Sequence, residues 1–197
     1  MKLIFVRHGH TLFNQLGLTQ GWCDSPLTEL GKKQLSLLEK KLSYINIDAI
    51  YCSDLTRTYH SATLLNMNRN LPIHRDERLR EVYFGYFEGT PVHLRDCFHL
   101  ESSDWMNDFK MNYASHGGEN LEDVIKRHDD FYQEILKNHE SQQTIMIVGH
   151  GCSLMGFIKK QLLPHEKLEF LPNAGAIIIE VTDHCLTYKE AIDPMKL

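Results

Sequence analysis

The chain has 197 residues, 42% hydrophobic and 24% charged, with a formal net charge of −5. That is the balance of an ordinary globular chain, long enough to bury a substantial core in one domain over residues 1–197. The acidic balance excludes nucleic acid held on a broad basic surface, yet a local cluster of arginines can still bind a small anion.

No apolar stretch is long enough to cross a bilayer, and Met1-Lys2-Leu3 runs straight into a predicted strand, with no room for a signal peptide. Cys23, Cys52, Cys97, Cys152 and Cys185 are scattered and odd in number, which points to free thiols in a reducing cytoplasm.

Residues 2–6 are a short apolar run that predicts a buried strand ending in Arg7-His8-Gly9-His10-Thr11. A loop follows over 9–26, then a helix with Thr28 as N-cap and Leu30, Leu35, Leu38 and Leu42 as its stripe. Residues 45–52 predict a second buried strand, and Ser53-Asp54 the start of a helix reaching Leu65. Pro72 and Ile73 suggest a short edge strand. Residues 78–115 are irregular, with short helical candidates at 93–98 and 104–111, and predict a lid-like insertion over the site. A long helix over 120–139 turns Leu121, Val124, Ile125, His128, Phe131, Ile135 and Leu136 inward. Residues 144–148 are an apolar strand ending in Gly149-His150-Gly151, before a helix carrying Leu154, Phe157, Ile158 and Leu162. Residues 176–181 and 185–188 predict a hairpin across Thr182-Asp183-His184. The alternation of strands and helices predicts an α/β class: a three-layer α/β/α arrangement whose mostly parallel sheet has an antiparallel edge.

Twelve histidines raise a metal reading, but they form no short-spaced ligand set. His74, His93, His99, His128, His139, His165 and His184 have polar neighbours and read as solvent-facing, although His128 also falls on the inward helical stripe. His8 is different. The carboxyl ends of strands are where α/β sheets bind ligands, and a histidine there reads as base, nucleophile or metal ligand.

Two buried strands end in histidine. If they are parallel neighbours, His8 and His150 meet at one rim. Arg57, one turn into the helix after a third strand, could face the same rim beside Arg7. Cations this close repel unless an anion compensates them, and phosphate is the natural filler. The plain alternatives are histidines held by hydrogen bonds, an Arg57 paired with Asp54, and Glu81 in an exposed charged loop with Asp76, Glu77 and Glu88.

Four stretches in this order resemble the histidine phosphatase superfamily, the phosphoglycerate mutase-like fold. They are Arg7-His8-Gly9-His10-Thr11, Ser53-Asp54-Leu55-Thr56-Arg57-Thr58, Arg78-Leu79-Arg80-Glu81 with Phe84-Gly85-Tyr86-Phe87-Glu88-Gly89, and Val148-Gly149-His150-Gly151. Gly117-Gly118-Glu119-Asn120 is similar to the family's segment before the long helix. The resemblance implies that His8 is the phosphorylated nucleophile. Arg7, Arg57 and a protonated His150 would hold the equatorial oxygens. Glu81 would be general acid, then base. Asn14 and Gly21 would line the phosphate and substrate side. It implies a metal-independent phosphomonoesterase of the cytoplasm, without a cofactor, whose partner is a small phosphorylated metabolite rather than nucleic acid or membrane. A homodimer is compatible with the sequence.

His10 stands where the family more often has glutamate or glutamine, with its ring toward substrate or solvent. The rivals are a cofactor-dependent phosphoglycerate mutase and a non-catalytic phosphate binder on the same fold. Such mutases are longer and carry a basic, proline-rich stretch. Residues 93–115 have Phe98, Trp105, Phe109 and several acids there instead, and together with Glu88-Gly89 they favour hydrolysis. A degenerate binder would be expected to lack one of the site residues. Tyr83, Tyr86, Phe87, Trp105, Met106 and Phe109 read first as the insertion's own small core, and second as an apolar wall for substrate.

Overall fold

The computed structural model describes residues 1–162, 168–183 and 185–196. His165 and His184, read above as solvent-facing, lie outside the described residues. In chain order the elements are β1 (Lys2–Arg7), α1 (Leu12–Leu16), α2 (Glu29–Lys41), β2 (Ala49–Ser53), α3 (Thr56–Leu65), β3 (Ile73–Asp76), α4 (His93–Asp96), α5 (Trp105–Asp108), α6 (Leu121–Asn138), β4 (Thr144–Gly149), α7 (Gly151–Leu162), β5 (Ala176–Thr182) and β6 (Cys185–Ile192).

One sheet runs β3-β2-β4-β1-β5-β6. The first four strands are parallel, and β5 and β6 add the antiparallel edge. The alternation of a strand sorts its side chains between the two faces. Ile4 and Val6 of β1 pack with Leu35, Leu38, Ala62 and Leu65 of α2 and α3. Leu3 and Phe5 pack with Phe131, Ile135, Leu154 and Phe157 of α6 and α7. These are the outer layers of a three-layer α/β/α fold. A third cluster joins Val82, Phe84, Phe87, Met111 and Tyr113 to Leu121 and Val124 at the start of α6, with Trp105 and Phe109 against it. Most of the aromatics of the 78–115 segment therefore fill its own core, although Tyr86 is exposed.

The local signals act where their side chains can reach. Thr28 caps α2 by accepting from the Gly31 N–H, and Asn120 caps α6 by accepting from the Asp123 N–H. Leu30 departs from the α2 stripe and is exposed. β2 begins at Ala49 rather than at 45: Ile45 and Ile47 are buried, but in the turn that leads into the strand. Asp54 does not cap α3. Its carboxylate accepts from Arg80 Nε at 2.8 Å instead. His128 corrects the solvent-facing reading, because the helical stripe outweighs its polar sequence neighbours. It is 2% exposed, its Nδ1 donates to the Val124 carbonyl at 3.0 Å, and burial pushes its pKa down to about 3.

Candidate active site

Arg7 at the end of β1 lies opposite Gly149 at the end of β4. The next residue of each strand is a histidine, so His8 and His150 leave the sheet side by side, ring centroids 5.4 Å apart. The backbone fixes His8 from both sides. Its N–H donates to the Gly149 carbonyl and its carbonyl accepts from the Ala174 N–H, each at 3.0 Å. His8 Nδ1 lies 2.8 Å from the Gly9 carbonyl oxygen. A carbonyl only accepts, so Nδ1 carries the proton and Nε2 presents its lone pair. Burial first, then the charges of Arg57 and Arg7, hold the ring's pKa well below its ordinary value. Gly9 leaves room for a close neighbour at the rim. That neighbour is α2: a Cβ there would lie 2.8 Å from Leu35 Cδ1 and 2.9 Å from the Gly31 oxygen.

Arg57 is fully buried on α3. Nη1 donates to the Cys23 carbonyl at 2.9 Å and to Asp24 Oδ1 at 3.1 Å, so its ion-pair partner is Asp24 rather than Asp54. Nη2 donates to the Gly21 carbonyl at 2.6 Å and meets His150 Nδ1 at 2.9 Å. A guanidinium only donates, so His150 accepts on Nδ1, and the neutral ring carries its proton on Nε2. Burial, then Arg57 and His8, lower the His150 pKa well below its ordinary value. The neutral form of His150 is the one this arrangement favours, since a second proton on Nδ1 would oppose the Arg57 N–H; the protonated form implied by the resemblance is the one a bound dianion would favour.

Three buried N–H groups around the His8 ring have no partner among the described residues: Nε of Arg7, Nε of Arg57 and Nε2 of His150. Arg7 is oriented by its Nη1 bond to the Leu171 carbonyl at 2.7 Å and lies 5.0 Å from the centre of the Phe170 ring. Burial lowers both arginine pKa values, yet guanidinium groups are not deprotonated in proteins. Two fixed positive charges and three unsatisfied donors form a site for a dianion.

Glu81 is 5% exposed and sits at the start of α7. Its Oε1 accepts from the Val82 and Ser153 N–H groups at 3.0 and 2.7 Å, and its Oε2 from the Cys152 N–H at 3.0 Å. These bonds satisfy first-turn donors of the helix that follows His150 directly. Arg127 of α6 fixes the loop behind Glu81. It donates to the carbonyls of Arg78, Arg80 and Glu81 at 2.7, 2.6 and 2.8 Å and to the Glu119 carboxylate at 3.0 Å. Nothing in the sequence marked Arg127 for this.

The remaining predicted positions are bonded to residues of the cradle. Gly21 supplies its carbonyl to Arg57, while its N–H goes to Glu88. A Cβ at Gly21 would collide with the Glu88 carboxylate and the Val82 carbonyl. Glu88 emerges as an organiser that sequence reasoning missed: it accepts from the N–H groups of Trp22, Cys23 and Phe84 at 3.0, 2.9 and 3.0 Å as well. One face of loop 21–23 thus rests on Glu88, and its other face holds Arg57. Asn14 caps α1 through the Thr11 N–H and accepts from Asn173 at 3.1 Å. His10 is tied down by Thr28 Oγ1, 2.9 Å from its Nδ1. Burial pushes the thiol pKa of Cys23 up to about 12 and that of Cys152 well above its ordinary value, so neither competes with His8 as a nucleophile. All five cysteines are free. Among the described residues, no three His, Cys, Asp or Glu side chains are grouped to hold a metal ion.

His8, His128 and His150 are all neutral in the fold, whereas in the unfolded chain each titrates near pH 6.5. Below that pH the unfolded state binds more protons. Stability therefore falls with falling pH, by about 1.4 kcal/mol per pH unit for each such histidine. Urea midpoints are expected to drop between pH 7.5 and 5.5; an unchanged midpoint would contradict the buried neutral set.

The sequence profile described as "Histidine phosphatase superfamily (branch 1)" matches residues 3–193. Phosphoserine phosphatase 1 of Hydrogenobacter thermophilus is 34% identical over 165 residues, 79% of this chain and 77% of that protein. The adenosylcobalamin/alpha-ribazole phosphatase of Salmonella typhimurium is also 34% identical over 165 residues, 82% of this chain and 80% of that one. Among solved structures, Bacillus stearothermophilus YhfR aligns at a TM-score of 0.80 and 32% identity, covering 95% of this chain and 94% of its own. The chain belongs to branch 1 of the histidine phosphatase superfamily, and phosphate-ester hydrolysis is its class of reaction.

Proposed function

We propose that the chain hydrolyses a small phosphate monoester in two displacements, with His8 as nucleophile and Glu81 as proton carrier, and without metal or cofactor. The opposed tautomers of the two histidines carry this reading. One hydrogen bond leaves His8 an acceptor on Nε2, and another leaves His150 a donor on Nε2. An attacking lone pair and an oxyanion donor thus face the same space.

The free N–H groups of Arg7, Arg57 and His150 take the equatorial oxygens, and the two guanidinium charges match the dianion. The Nε2 lone pair of His8 forms the N–P bond while the ester P–O bond breaks. Its electron pair leaves on the alcohol oxygen, which takes a proton from Glu81. As the ring becomes cationic, its Nδ1–H bond to the Gly9 carbonyl strengthens. Water then attacks phosphorus, Glu81 takes its proton, and the P–N electron pair returns to His8. Asn14 and Gly21 line the phosphate and substrate side of this set, held there through Asn173 and Arg57.

The cytoplasm is the proposed location, with the chain acting alone or as a homodimer. Among the described residues, no helix is long and apolar enough to cross a membrane. The test is incubation with a panel of phosphate esters, including phosphoglycerates, with and without a chelator. Free phosphate release that is insensitive to the chelator is expected. Isomer interconversion without phosphate release, or activity lost on chelation, would overturn the proposal.

A further inference from the structure

Resting on the phosphatase reading above, we infer that Trp22 is a positioning residue for the proton transfer: it sets the reach of Glu81 to the phosphate that Arg57 holds. Trp22 stands between the two carbonyls that seat Arg57. The Gly21 carbonyl accepts from Arg57 Nη2 at 2.6 Å, and the Cys23 carbonyl from Nη1 at 2.9 Å. The Trp22 N–H is in turn fixed on the Glu88 carboxylate at 3.0 Å. The backbone of Trp22 is thus part of the Arg57 seat.

Its side chain crosses to the proton carrier. The indole Nε1–H donates to the Glu81 carbonyl at 3.0 Å. The ring also meets residues on either side of Glu81 in the chain. The Arg80 guanidinium lies 4.6 Å from its centre, and the Tyr83 ring is 5.0 Å away at 38°. Arg80 is itself held, because Nε and Nη2 fork onto the Asp54 carboxylate. Packing alone does not account for this placement. Trp22 stays 37% exposed, so much of its apolar surface remains in water. What the indole adds is a directed bond.

The other ties of Glu81 lead elsewhere. Its carboxylate is held by the Cys152 and Ser153 N–H groups of α7. Its carbonyl also accepts from Arg127 of α6 at 2.8 Å, and with Trp22 this fills both lone pairs. Of the bonds to Glu81 among the described residues, the one from Trp22 comes from the loop that seats Arg57. A general acid works only within hydrogen-bond reach of the leaving oxygen, and the bound phosphate sets where that oxygen lies. Trp22 therefore ties the acid to the group whose position it must match.

The experiment measures kcat/KM for phenyl, 4-chlorophenyl and 4-nitrophenyl phosphate, esters of similar shape whose phenols differ in acidity. It compares the native chain, Trp22→Phe, Glu81→Gln and the double variant. The slope of log kcat/KM against leaving-group pKa is independent of the fraction folded. Trp22→Phe keeps an aromatic ring and loses the N–H, and the slope is expected to steepen. Phenyl phosphate should lose ~3- to 10-fold more than 4-nitrophenyl phosphate, the scale of one hydrogen bond. In the double variant the slope should equal that of Glu81→Gln, because Trp22 acts through a proton that glutamine does not carry. An equal loss on all three esters in Trp22→Phe, as for a residue that merely braces the loop, would overturn the inference. So would a slope in the double variant steeper than in Glu81→Gln. A Glu81→Gln slope no steeper than the native one would instead strike the role of Glu81 in the phosphatase reading itself.

Discussion

Replacing His8 with alanine is expected to abolish turnover, lowering kcat by roughly six orders of magnitude, the scale seen when a two-step hydrolase loses its nucleophile. No other group in the site can take over. His150 has its Nδ1 occupied by Arg57, and its Nε2 carries a proton. Both nearby thiols are held in their protonated form. The loss should appear with esters of every leaving-group acidity, because every ester must pass through formation of the N–P bond. The phosphate cradle does not include the His8 ring, so the variant should still bind inorganic phosphate. Steady-state kinetics and phosphate binding by calorimetry check the two halves. Full activity in His8→Ala would end the account.

Glu81→Gln is expected to separate substrates by their leaving groups. Glutamine keeps an acceptor for the α7 N–H groups but has no proton to give. With alkyl phosphates, whose alkoxides leave poorly, kcat/KM should fall by about 10²- to 10⁴-fold, the usual worth of general acid catalysis. With 4-nitrophenyl phosphate the first step needs no proton, so formation of the phosphoenzyme should be nearly normal. Hydrolysis of that intermediate still needs Glu81 as base and should be slowed. Pre-steady-state release of nitrophenolate distinguishes the two steps. An equal loss on both kinds of ester would mean that Glu81 only anchors the start of α7.

The sequence showed which segments meet at the rim, and less of how they hold one another. Two apolar runs each ending in histidine report burial and position together, which is why the meeting of His8 and His150 could be stated on condition that β1 and β4 are parallel neighbours, as the fold has them. The long amphipathic stretch of α6 was equally so, and its stripe placed His128 inward where its polar neighbours misled. Partner choice across the chain was not legible. Asp54 is the partner that proximity in sequence offers Arg57, and only the fold gives Asp24 to Arg57 and Asp54 to Arg80. The tautomer and charge of His150 follow from that same placement of Arg57. The roles of Glu88 and Arg127 consist mostly of bonds to the backbone of distant loops. Such bonds leave no pattern in residue type or spacing.

The central claim is the phosphohistidine on His8. Glu81→Gln offers the most direct test, because it should form the intermediate from 4-nitrophenyl phosphate faster than it destroys it. Rapid mixing, a quench in alkaline denaturant to preserve the acid-labile P–N bond, and peptide mass analysis should give a burst of one nitrophenolate per chain. One phosphate should be found on the peptide carrying His8. Linear release with no phosphate on His8, or phosphate on another residue, would contradict the account.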